Sequence, residues 1–128
     1  MPSTRIETRR GWLGADRTAF LEAVQRALVA GILIPEGDRC VRLVEIDEDA
    51  FISGAHVGPR YTVIEISLFT GRSIDAKRRL YAALVSELAP FGLAEHDIKT
   101  ILHEVPRENW GLRGKPGSEI ELGFKVDV

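Results

Sequence analysis

The chain has 128 residues, 45% of them hydrophobic and 28% charged, with a net charge of −2. That is enough chain to bury one core without a disulfide staple, and so small a net charge gives no electrostatic footing for nucleic acid or for an anionic membrane. The single cysteine, Cys40, excludes an internal disulfide and reads as a small core hydrophobe, and no apolar run reaches transmembrane length, nor does a basic segment followed by an apolar core open the chain; a cytoplasmic protein is expected.

Met1-Pro2 leads into a short β-type run, Ser3 to Thr8, where proline is accepted because its missing N–H costs nothing at a strand start. Arg9 to Gly14 is a turn, and Asp16 is placed to cap a helix. Phe20, Ala23, Val24, Ala27 and Leu28 then recur at helical spacing. Gly31 and the Pro35-Glu36-Gly37-Asp38 turn mark the stop. Cys40 to Ile46 is a second strand, followed by an irregular connection over Asp47 to Arg60. Tyr61 to Phe69 is the strongest strand of the chain, β-branched, aromatic or apolar at almost every place, with two largely apolar faces that call for cover on both sides. Thr70-Gly71-Arg72-Ser73 ends it in a turn, with Ser73 set to cap a second helix from about Ile74 to Phe91. Ile98 to Val105 is a fourth strand. Glu108 to Val128, with four glycines or prolines between Gly111 and Gly117, is a hairpin or an arm.

The order is strand, helix, strand, repeated once. Residues 34–45 align without gaps on residues 93–104, a displacement of 59 residues, with Glu36 on Glu95, Asp38 on Asp97 and Glu45 on Glu104; the same displacement sets Tyr61 opposite Pro2. The expected architecture is α+β: tandem βαβ repeats, about 1–59 and 60–107, forming a four-stranded mixed sheet with two helices on one face, plus the C-terminal hairpin or arm over 108–128, all in one domain. Each unit has two parallel strands joined by a right-handed crossover. If the units pair about a pseudo-two-fold axis, the starts of strands one and two share a sheet edge with the end of strand three. Pro2, Asp38 and Arg72 then converge.

That convergence has chemistry in it. With Met1 removed, Pro2 is a rigid secondary amine, and an α-amino group titrates near 7.7–8.0 by reference. Desolvation and a neighbouring arginine lower that value, and a carboxylate raises it, so the amine is usable as base or as acid. Arg72 stands one residue before a helix N-cap, where backbone N–H groups and the helix dipole already favour an anion. It reads as a carboxylate clamp, or as a plain turn arginine. Asp38 is equally a good turn residue.

Met1-Pro2, Pro35 to Arg39, Tyr61 to Ile66 with Arg72, and Asn109-Trp110-Gly111 together resemble the tautomerase superfamily, over nearly the whole chain. The subgroup most similar in these motifs is the malonate semialdehyde decarboxylase-like one. The resemblance implies a homotrimer in which Pro2 is the catalytic amine, Asp38 orients or activates water, Arg72 binds a substrate carboxylate and Trp110 walls an apolar pocket. Thr70 stands where that subgroup carries a second arginine, which weighs against decarboxylation and touches general tautomerase chemistry less. Thr70 and Ser73, flanking Gly71-Arg72, join the expected substrate contacts.

The implied activity is keto–enol proton transfer on a small 2-oxo or 3-oxo carboxylic acid. Decarboxylation or hydration with Pro2 as a cationic acid is the alternative within the family, and a non-catalytic trimeric binding module is the alternative outside enzymes. His56, His96 and His103 show no metal-ligand spacing, and no phosphate-binding glycine loop is present, so neither metal nor cofactor is expected. Asp97 echoes Asp38 but lies away from Pro2, so it is read as structural, with one site per subunit.

Overall fold

The computed structural model describes residues 2–128. Met1, and with it the expected removal of that residue, lies outside the described range. The elements are β1 (Ser3–Arg9), α1 (Arg17–Ile32), β2 (Val41–Ile46), β3 (Thr62–Phe69), α2 (Ile74–Leu88), β4 (Ile98–Val105) and a short hairpin, β5 (Gly111–Leu112) with β6 (Lys115–Pro116). The sheet order is β2-β1-β3-β4. β1 runs parallel to β2 and β3 parallel to β4, and the two pairs meet antiparallel along β1 and β3, with Ile6 opposite Ile64. This is the tandem βαβ architecture with an added hairpin.

Both helices lie on one face. Ile6, Ile64, Ile66 and Leu68 from the sheet and Phe20, Val24, Leu28, Leu80, Leu84 and Leu88 from the helices form one core, each at most 1% exposed. Alternation along β3 makes this possible, because residues two apart share a face. The other face of β3 is covered differently from the expectation: Val63, Glu65 and Ser67 stay half-buried, and only Phe69 on that side is sealed. Among the described residues no helix packs on that face.

Three local expectations change. Asp16 occupies the α1 N-cap position but makes no side-chain cap bond. The α1 stop is not Gly31, which is inside the helix; the left-handed residue after it is Leu33, with φ 56°. Gly31 serves instead as the contact point between the helices, since a Cβ there would collide with the Leu80 backbone. Cys40 is exposed, one residue outside β2, and not part of the core. By contrast Ser73 caps α2 as expected, its Oγ accepting the Ala76 N–H at 3.1 Å.

The repeat itself is offset by one residue from the sequence echo. Thr4 pairs with Val41 and Ile64 with Thr100, so β1 maps onto β3 at 60 residues while β2 maps onto β4 at 59. Pro2 therefore corresponds to Thr62 and not to Tyr61. The parity of the strand decides this: a displacement of 59 would carry the buried face of β1 onto the half-buried face of β3.

Candidate active site

The topology brings the start of β1, the start of β2 and the end of β3 to one edge of the sheet. Thr4 donates its N–H to the Cys40 carbonyl at 2.9 Å, which seats the buried Pro2 beside the 38–40 segment. The Asp38 N–H closes its turn on Pro35 O at 3.0 Å. Gln25, buried in α1, donates to the Asp38 carbonyl at 3.0 Å and fixes the turn against the helix.

Arg72 follows Gly71, whose φ of 132° lets the chain bend sharply out of the sheet. The bend turns Arg72 inward: it is 5% exposed, an unusual place for a guanidinium. Its Nη1 donates to the Phe69 carbonyl at 3.3 Å. Its Nε and Nη2 have no hydrogen-bond partner among the described residues. These two are the side-on edge of the guanidinium, whose parallel N–H bonds match the two oxygens of a carboxylate. A buried donor left unsatisfied costs about 1–3 kcal/mol, so the edge is a standing demand for an acceptor. Burial holds the Arg72 guanidinium below its usual pKa; the charge of Arg107 pushes the same way, and Asp38 opposes them. The Asp38 carboxylate is thus close enough to be felt at Arg72, as the convergence requires.

Trp110 walls this corner. Its ring meets Phe69 edge-on, with centroids 5.2 Å apart, and its Nε1 donates to Val105 O at 3.2 Å. Gly117 locks the wall: its N–H donates to Trp110 O at 2.7 Å, and a Cβ there would lie 2.8 Å from Arg107 O. A cavity of about 270 Å³ opens beside Asp38, lined also by Pro35, Gly37, Arg113, Leu122 and Phe124. A larger depression of about 380 Å³ lies over α1 and includes none of the converging residues.

The remaining expected residues are placed less centrally. Thr70 is exposed, its N–H directed to Val105 O at 3.4 Å. Ser73 spends its acceptor on the helix cap and its hydroxyl proton on the Val128 carbonyl at 2.7 Å. One residue was missed at the sequence level. Arg107 opens a single 3-10 turn, and its Cζ lies 5.5 Å from the centre of the Phe69 ring. No periodicity flags a residue in so short a turn. The available signal was its position three residues before Trp110, on the same turn, closed by the Trp110 N–H to Arg107 O bond of 3.1 Å.

Comparison with known proteins agrees with the fold. A family model described as tautomerase enzyme matches residues 38–113. A probable tautomerase of Ralstonia nicotianae is 33% identical over 57 residues, which span 44% of this chain and 81% of the relative. Among solved structures, a malonate semialdehyde decarboxylase inhibited by 3-bromopropiolate superposes with a TM-score of 0.77 at 30% identity, covering 84% of this chain and 86% of the other. A fused 4-OT solved as a symmetric trimer superposes with a TM-score of 0.79 at 25% identity, covering 90% and 95%.

Proposed function

Because the chain belongs to the tautomerase family, we propose that it is an isomerase in which the amine of Pro2, released by loss of Met1, moves a proton between carbon and enol oxygen of a small 2-oxo or 3-oxo carboxylic acid. The observation that carries the reading is the buried, unfilled side-on edge of Arg72. It anchors the substrate carboxylate at the edge of the sheet where Pro2 begins β1. Held there, the carbon between or beside the ketone (C3 of a 2-oxo acid, C2 of a 3-oxo acid) comes within reach of a rigid base whose ring cannot swing away, and proximity of this kind lowers a barrier substantially. The charge of Asp38 orients the amine and any water. Trp110 and Phe69 supply a dry wall, inside which each charge interaction is stronger than in water. Thr70 and Ser73 frame the anchor, Ser73 by holding the α2 N-terminus.

The assembly proposed is a homotrimer, as the fused 4-OT structures are described. The half-buried outer face of β3 and the exposed Ile101 of β4 would be covered there.

Decarboxylation or hydration is the second reading, favoured by the 30% identity to a malonate semialdehyde decarboxylase. The protonation of the Pro2 amine separates the two. A value at or below about 7 supports a base, and one well above about 8 supports a cationic acid.

The test begins with the intact mass, which must show Met1 absent. Ketonisation of an enolised 2-oxo acid is then followed by its absorbance in wild type and Pro2→Ala. A drop of orders of magnitude with an unchanged circular dichroism spectrum is expected. Full turnover in Pro2→Ala, or a retained Met1, would rule out amine catalysis.

A further inference from the structure

We infer that Arg107 is the second cation of this site, and that it and Arg72 grip one substrate carboxylate between them. The inference rests on the carboxylate-anchor reading of Arg72 and adds to it a residue that lies outside the Thr70–Ser73 segment. Phe69 ties the two arginines together: its carbonyl accepts from Arg72 Nη1, and its ring lies 5.5 Å from Arg107 Cζ. Both arginines thus engage Phe69 at the end of β3, one through its carbonyl and the other through its ring. Among the described residues neither arginine takes part in an ion pair. The positive charge of Arg107 is felt at Arg72, and backbone contacts hold the turn that carries Arg107 in place. Arg107 O receives the Trp110 N–H, and Gly117 leaves only enough room to pack against it.

The two arginines differ in what they can offer. Arg72 is buried and directional, with a two-toothed edge waiting. Arg107 is exposed at the rim and contributes mainly charge. The charges felt at Arg72 are those of Arg107 and Asp38. The pair thus occupies two elements, the β3–α2 turn and the turn after β4, and supplies from a distance the cation that Thr70 does not provide.

The test is a chemical-shift titration of the full chain with 2-oxobutanoate and, separately, with its uncharged amide. Arg107→Gln should weaken the acid about tenfold and leave the amide unchanged. Arg107→Lys should keep most of the acid affinity, because charge suffices at the rim, while Arg72→Lys should not, because lysine cannot form the planar fork. Raising salt to about 0.5 M should erase much of the Arg107 effect and less of the Arg72 effect. Wild-type affinity for the acid in Arg107→Gln overturns the inference, as does an equal loss for acid and amide, which would make Arg107 a support of the wall. If only Arg72→Gln weakens the acid, the anchor stands and Arg107 falls. If the wild type does not prefer the acid to the amide, the anchor falls and Arg107 with it.

Discussion

The two poles of the sheet are built from the same turn twice, and they end in opposite chemistry. At one pole the β3–α2 turn carries Gly71-Arg72; at the other the turn after β1 carries Gly11-Trp12, at the displacement that relates β1 to β3. Both glycines have positive φ, 132° and 113°. Both turns are latched the same way, Thr70 N–H to Val105 O and Arg10 N–H to Ile46 O. Each pole also has an aspartate closing a turn onto the residue three before it, Asp38 on Pro35 and Asp97 on Ala94.

The difference lies in what the side chains have left to do. Asp97 is 6% exposed and accepts from the Gly58 N–H at 2.7 Å and the Ala94 N–H at 3.1 Å. Asp38 cannot close the second of these bonds, because Pro35 has no N–H to offer. Trp12 packs edge-on against Phe20, donates Nε1 to Thr8 Oγ1 at 3.1 Å and lies under Arg60. Arg72, in the equivalent place, is buried with two donors unfilled. One pole is satisfied by its own chain; the other leaves two buried donors without a partner among the described residues.

The largest expected effect breaks the open pole. Arg72→Ala should lower kcat/KM for a 2-oxo acid by roughly 10- to 150-fold, since a charge-assisted pair is worth about 1.5–3 kcal/mol and 1.4 kcal/mol is about tenfold. An uncharged keto analogue should lose far less. Equal losses for both would mean that Arg72 holds the loop and not the substrate.

The matching change at the closed pole should act on stability alone. Asp97→Ala removes two backbone hydrogen bonds to a charged acceptor, and urea unfolding should show a loss of about 1.5–3 kcal/mol with turnover per folded molecule unchanged. Reduced turnover in fully folded Asp97→Ala would show that the second pole is a working site.

The pH dependence sharpens the same contrast. The Gly58 N–H holds the Asp97 carboxyl below its usual value, helped by Ala94 and His96 and opposed by burial. A depressed folded value means that this stability is complete above the unfolded value of about 3.9 and is lost as pH falls through the folded one. The difference in unfolding free energy between wild type and Asp97→Ala should therefore shrink below about pH 4. A difference that stays constant down to about pH 2 would assign the effect to packing.

The smallest effect is expected from Trp12→Phe, which keeps the ring against Phe20 but loses the bond to Thr8. A loss of about 0.5–1.5 kcal/mol in urea unfolding is expected; no loss would mean that water replaces the indole N–H at that pole.

Alternation, helical spacing and turn residues determined by themselves the four strands, two helices and the βαβ order; that Pro2, Asp38 and Arg72 share one edge followed only once the two units were taken to pair about a pseudo-two-fold axis. These are local signals, and the handedness of crossovers leaves few ways to assemble them. β4 is found over Ile98–Val105, as its β-branched run predicts, and Ser73 caps α2 as its position predicts. What only the tertiary structure decided depends on distance between segments. Gly31 resembles a helix stop until Leu80 is seen against it. Cys40 resembles a core residue until β2 is seen to start after it at the sheet edge. The positive charge felt at Arg72 comes from Arg107, which acts through space from a distant segment, and the short turn that carries it leaves no period in the sequence to read.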